Sequence, residues 1–141
     1  MSNARPKRHD RPGVDRYGRT ELHYAALEGD LERVSALLRD GADAGAADDR
    51  GFTPLHFAVQ QDRLETATAL LDAGAPVDAM TRGGNSPLWL AVFSGENGDM
   101  IELLRAHGAD PCKPGPHGKS PLSVAREIAN RDLARFFADL P

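Results

Sequence analysis

Four side chains of the kinds that bind metals fall in one short stretch: His107, Asp110, Cys112 and His117. Imidazole nitrogen, carboxylate oxygen and thiolate sulfur together make a zinc donor set, so a metal centre is the first chemistry to weigh. The spacing argues against it. Structural zinc ligands come in tight pairs, whereas these are strung through a proline-rich loop from Asp110 to Gly118. Two further histidines, His23 and His56, stand singly, 33 residues apart. The chain has no His-Glu-x-x-His, no Gly-x-Ser-x-Gly and no phosphate-binding loop, and its glycines punctuate rather than cluster. The expectation is a protein with no catalytic residue, no cofactor and no metal. An enzyme or zinc protein built on the Asp110 to Gly118 loop is the alternative.

The isolated histidines belong to a larger pattern that sets how any functional side chain must be positioned. Thr20-Glu21-Leu22-His23, Thr53-Pro54-Leu55-His56, Ser86-Pro87-Leu88-Trp89 and Ser120-Pro121-Leu122-Ser123 recur at intervals of 33, 33 and 34 residues. Each follows a glycine two places upstream (Gly18, Gly51, Gly84, Gly118) and precedes an alanine (Ala25, Ala58, Ala91, Ala125). A period this regular is the signature of a stacked repeat.

One copy explains the unit. Thr53 can cap a helix through its hydroxyl, and Pro54 suits the first helical position, where a missing N–H costs nothing. Leu55, Ala58 and Val59 then turn inward, and Gln60-Gln61-Asp62 breaks the apolar pattern. A second helix follows, with Leu64, Ala67, Leu70 and Leu71 in one stripe, closed by Gly74 in the place of a left-handed C-terminal cap. Gly41 and Gly108 hold the same place in their copies. Each helix is too short to be stable alone, so neighbouring copies must supply the partner faces.

Gly-x-Thr-Pro-Leu-His-x-Ala in a 33-residue helix-turn-helix frame closely resembles the ankyrin repeat, over about residues 15 to 140. The resemblance implies an all-α solenoid of four repeats (about 15–47, 48–80, 81–114 and 115–141) behind a disordered basic leader, 1–14. It implies paired antiparallel helices, β-hairpin-like fingers between repeats, and a concave groove lined by fingers and first helices. In that family the Thr-His pair is structural, which assigns the same tie to Thr20 with His23 and to Thr53 with His56. Departures fall mostly in the C-terminal half. Trp89 and Ser123 replace the histidine, so the hydroxyl-to-imidazole tie is expected to be lost there, and one extra residue falls within Ser94-Gly95-Glu96. The fourth copy is expected to carry Arg126, Glu127, Arg131, Asp132 and Arg135 on or near its second helix, as a solvent-facing cap, making the chain a whole small protein.

Ankyrin contacts come from the finger positions flanking the glycine and from the ends of the first helices. On this chain those are Arg16, Tyr17, Arg19, Leu27 and Glu28; Asp49, Arg50, Phe52, Gln60 and Gln61; Arg82, Asn85, Phe93 and Ser94; and His117 and Lys119 in the last copy. Tyr17, Phe52 and Phe93 form an expected contact ridge, aromatics and arginines being the residues that most often dominate interfaces. Trp89 joins the contact set, with the filling of core volume as its other reading.

Composition narrows the partner. With 40% hydrophobic and 27% charged residues the chain reads as one globular domain, and its apolar runs are too short to span a membrane. The first fourteen residues carry about +3 of a total of −4, leaving the repeat body acidic and a poor match for nucleic acid. One cysteine fits a reducing, cytoplasmic compartment. Fourteen arginines against three lysines suggest a GC-rich, bacterial coding sequence. The expectation is a non-catalytic module, monomeric when free, that binds one protein through its concave face. Small bacterial members of the family resemble immunity proteins, and an acidic groove would suit a basic toxin site. A scaffold with several weak partners is a further alternative.

Overall fold

The structure, a computed structural model, describes residues 13–94, 98–128 and 133–141. The expected leader, apart from Gly13 and Val14, lies outside the described residues. So do Gly95 and Glu96 of the extra-residue segment and Arg131 and Asp132 of the expected terminal helix.

Seven α-helices run in pairs: α1 (Glu21–Glu28) with α2 (Leu31–Arg39), α3 (Pro54–Gln60) with α4 (Leu64–Asp72), α5 (Pro87–Ser94) with α6 (Gly98–Ala106), and then α7 (Pro121–Glu127). No strand occurs among the described residues. The first helices α1, α3, α5 and α7 pack side by side, and α2, α4 and α6 form a second row against them. This is the all-α solenoid expected from the repeat.

The starts of the helices follow from their caps. Thr20, Thr53 and Ser120 sit in extended backbone and accept from the N–H three residues on, and in each the residue at that third position bonds back to the cap's own N–H. Such a capping box satisfies two donors that a helix start would otherwise leave open. The second helices end at Gly41, Gly74 and Gly108, whose φ values of 93°, 91° and 92° are open to glycine alone at little cost.

The core lies between the rows. Leu22, Leu55, Leu88 and Leu122 are buried, as are Ala25, Ala58, Ala91 and Ala125, whose small side chains let adjacent first helices approach closely. Val34, Ala67, Leu70, Ile101 and Leu104 complete the core from the second row.

The fourth unit departs from the expected helical pair. Arg126 and Glu127 lie in the last turn of α7, not on a second helix. Among the described residues of this unit no second α-helix follows, and a 3-10 turn, Ala134–Phe137, comes after Leu133. Phe137 is buried 33 residues after Leu104, and Arg105 closes the end by holding Asp139 with two bonds and the carbonyl of Phe136 with a third. That pair holds the Asp139 carboxyl below its usual range.

Candidate functional site

Each finger is a tight turn closed by the same two main-chain bonds. Asp15, Asp48, Thr81 and Gly115 donate to the carbonyls of Arg19, Phe52, Asn85 and Lys119, and Gly18, Gly51, Gly84 and Gly118 donate back. Gly51 shows why glycine is required. Its φ is 83°, and a Cβ there would sit 3.0 Å from the backbone of Thr81 and Arg82 in the next finger.

In the first two fingers a carboxylate holds the turn from inside. Asp48, its side chain 1% exposed, accepts from the N–H groups of Arg50 and Phe52 and from the Arg19 guanidinium at 3.1 Å. Asp15 does the same for Tyr17 and Arg19 and also takes the Tyr24 hydroxyl. Burial works against the Asp15 charge, but these donors outweigh it and hold its pKa below the usual value. Thr81 plays the part in the third finger, accepting from the Asn85 N–H. Asp15, Asp48 and Thr81 lie outside the expected contact positions, although an aspartate three residues before the finger glycine is a legible turn signal.

The histidines bridge consecutive fingers. His23 Nδ1 accepts from the Thr20 N–H, which leaves the proton on Nε2 to donate to the carbonyl of Phe52 at 2.9 Å. His56 repeats this with Thr53 and Asn85. Burial lowers the pKa of both imidazoles, more than their accepting carbonyls raise it, so both favour the neutral form. Trp89 was expected to lose the tie, and it loses only the hydroxyl half. Its indole N–H donates to the carbonyl of Lys119 at 3.2 Å, the same step to the next finger, because indole offers a donor at similar reach. In the fourth unit the Ser123 hydroxyl takes over the back-bond to Ser120.

The expected contact residues divide into outer and inner sets. Tyr17 is 44% exposed, with the Arg16 and Arg19 guanidinium groups 5.2 and 4.9 Å from its ring centre. Phe93 is 62% exposed and stacks on Trp89 at 4.9 Å. Phe52, by contrast, is half-buried, stacked on the buried Phe57 and edge-on to His56. Trp89 is buried, against Gly115, where a Cβ would come within 2.7 Å of the indole. Arg16, Glu28, Arg50, Gln60, Gln61, Arg82, Ser94, His117 and Lys119 are exposed, whereas Arg19, Leu27, Asp49 and Asn85 are half-buried. Leu31, exposed at the start of α2, is a large apolar side chain outside the expected set.

At the fingers, acids and arginines take different positions. Asp15 and Asp48 face inward, while Arg16, Arg50 and Arg82 leave successive fingers into solvent. Exposed carboxylates such as Glu32, Asp40, Glu65, Asp72 and Glu102 lie on the second helices and the turns just after them. Exposed carboxylates also lie on the first helices and the turns after them, at Glu21, Glu28, Asp30 and Asp62, and Arg33 and Arg39 are exposed on α2.

No group of three or more His, Cys, Asp or Glu residues is placed to hold a metal among the described residues. In the Asp110 to Gly118 stretch the Asp110 carboxylate accepts from the Cys112 N–H, while His107 Nδ1 lies 3.0 Å from the Leu103 carbonyl. No described helix is long and apolar enough to cross a membrane.

Stacked helix pairs, capping boxes at three of the finger bases, and imidazole or indole bridges to the next finger define a helical repeat protein whose loops and first helices present one continuous surface. Residues 4–81 and 22–115 match the family described as Ankyrin repeats (3 copies), and the chain belongs to the ankyrin-repeat family. Ankyrin repeats are generally protein–protein interaction modules, typically without enzymatic activity. No curated protein matches the chain.

Proposed function

We propose that this chain is a non-catalytic, monomeric binding module that holds one partner protein on the surface formed by its fingers and the ends of its first helices. The observation that carries this reading is the pair Tyr17 and Phe93. Both are large apolar side chains kept in solvent, and both are fixed in place, one between two arginines and the other on Trp89. A rigid exposed aromatic loses little conformational freedom on contact, which is what makes such residues interface anchors. The predicted contact set runs over Arg16, Tyr17, Arg19, Leu27, Glu28, Asp49, Arg50, Phe52, Gln60, Gln61, Arg82, Asn85, Trp89, Phe93 and Ser94. Inhibition, as by an immunity protein, is the finer form of the proposal, because a surface without reactive groups acts on an enzyme or toxin only by covering it. The test is to identify what co-purifies with the tagged chain and measure its affinity for Tyr17→Ala and Phe93→Ala. At least one of the two should lose about 1 kcal/mol or more, roughly fivefold in Kd. Wild-type affinity in both variants would remove the basis for the surface.

A further inference from the structure

Three exposed arginines leave three consecutive fingers: Arg16, Arg50 and Arg82. Arg16 lies beside the Tyr17 ring and bonds its hydroxyl. Among the described residues no carboxylate pairs with the Arg50 or Arg82 side chain. The fingers' own carboxylates cannot serve, because Asp15 and Asp48 are committed to turn N–H groups, and Asp48 also to Arg19. Half-buried Asp49 is the one other acid in these turns.

Backbone bonds fix the order of the row. Asp49 donates to the Tyr17 carbonyl and Arg82 to the Arg50 carbonyl, each at 2.9 Å, so the three fingers lie edge to edge. Each finger is two strand-widths across, but Arg50 holds the second turn position and Arg16 and Arg82 the first, so Arg82 is the bonded neighbour of Arg50, and Tyr17 and Asp49 lie between Arg16 and that pair. An extended peptide advances about 3.3 Å per residue, so about three of its residues match one finger.

We propose that the finger edge binds an acidic, extended segment of the partner protein, with one carboxylate facing Arg16 and an adjacent pair, about four residues further on, facing Arg50 and Arg82. This rests on the protein-binding reading above and names the chemistry of that partner. Arginine suits it, since the guanidinium fork accepts a carboxylate with two parallel bonds. Nucleic acid fits less well, because three arginines offer few of the cations that phosphate binding needs. Tyr17, between Arg16 and that pair, offers an apolar contact, which gives the segment a preferred position rather than a mere charge attraction.

The test uses fluorescein-labelled peptides of about ten residues with one glutamate about four residues before an adjacent pair, the same number of glutamates placed contiguously, or lysine in place of each spaced glutamate. Binding to the whole chain is read by anisotropy at about 50 and 300 mM salt. The spaced-glutamate peptide should bind about tenfold more tightly than the lysine peptide and measurably better than the contiguous one, weakening with salt. The triple variant Arg16→Ala/Arg50→Ala/Arg82→Ala, its fold checked by circular dichroism, should lose that preference, while Arg33→Ala/Arg39→Ala on α2 should keep it. Charge reversal with Arg16→Glu/Arg50→Glu/Arg82→Glu should transfer the preference to the lysine peptide. Equal binding of the glutamate and lysine peptides, or an unchanged triple alanine variant, overturns the inference. So does tighter, arginine-dependent binding of a single-stranded oligothymidylate. If a co-purified protein is released by Tyr17→Ala or Phe93→Ala but not by the arginine variants, the binding surface stands and only the acidic segment falls.

Discussion

The two bridging histidines should make this stack acid-sensitive well above the range where carboxylates titrate. In the fold each imidazole accepts at Nδ1 from its own cap residue and donates from Nε2 to the next finger, so a second proton has no acceptor and would disrupt the Thr20 or Thr53 bond. Burial lowers both pKa values from the ordinary 6.5. The sign follows from linkage. Above pH 6.5 both states hold the rings neutral and nothing is lost, whereas below it the unfolded chain takes up protons that the folded chain refuses. Stability therefore falls as pH drops from 6.5, by at most about 1.4 kcal/mol per pH unit for each ring, until the folded rings themselves titrate. Between about pH 7.5 and 5.5 the ceiling is about 2.7 kcal/mol for the pair, a large share of the stability of a small domain. Urea unfolding by circular dichroism at the two pH values measures the difference, and nitrogen-15 spectra of the imidazoles assign it to His23 and His56. A flat urea midpoint, or either ring titrating at or above 6.5 in the folded protein, would refute the reasoning.

Two further outcomes follow from contacts at the turns. Gly98 opens α6 against the Phe136 ring, where a Cβ would come within 1.9 Å, so Gly98→Ala should cost about 1–3 kcal/mol of unfolding free energy. Adding Phe136→Ala should make the glycine change nearly neutral, and a full additional loss would show that the two do not meet. Asp48→Ala strands two finger N–H groups and the Arg19 guanidinium, and should lower stability by about 3 kcal/mol in the same assay. A loss below about 0.5 kcal/mol would mean that the finger holds its shape without the carboxylate.

The helical frame was legible because each of its signals is local: hydroxyl cap, proline, inward leucine and closing glycine act within one turn. The inter-finger ties were only half legible. A histidine can be recognised by its repeat position, but Trp89 reaches the same carbonyl with different chemistry, and residue type alone does not reveal where an indole N–H points. Among the contact aromatics, Tyr17 and Phe93 share exposure while Phe52 stacks inward, a difference decided by the neighbouring Phe57 rather than by anything at position 52. Net charge says little about placement for a related reason. It counts Asp15 and Asp48 as surface charge, although their oxygens are spent on backbone N–H groups. The 3-10 turn Ala134–Phe137 was hidden because no side-chain cap marks its start.

Finger one is fastened to finger two, and finger two to finger three, by the N–H groups of Asp49 and Arg82. Such fastenings use the main chain, so they survive almost any substitution except proline. The corresponding position in the last finger is Pro116, which has no N–H to offer the Gly83 carbonyl. There the fingers are joined through the indole of Trp89 instead. The first two joints thus combine a backbone bond with an imidazole bridge, whereas the third rests on the indole, so a single change at Trp89 has no such backbone bond behind it.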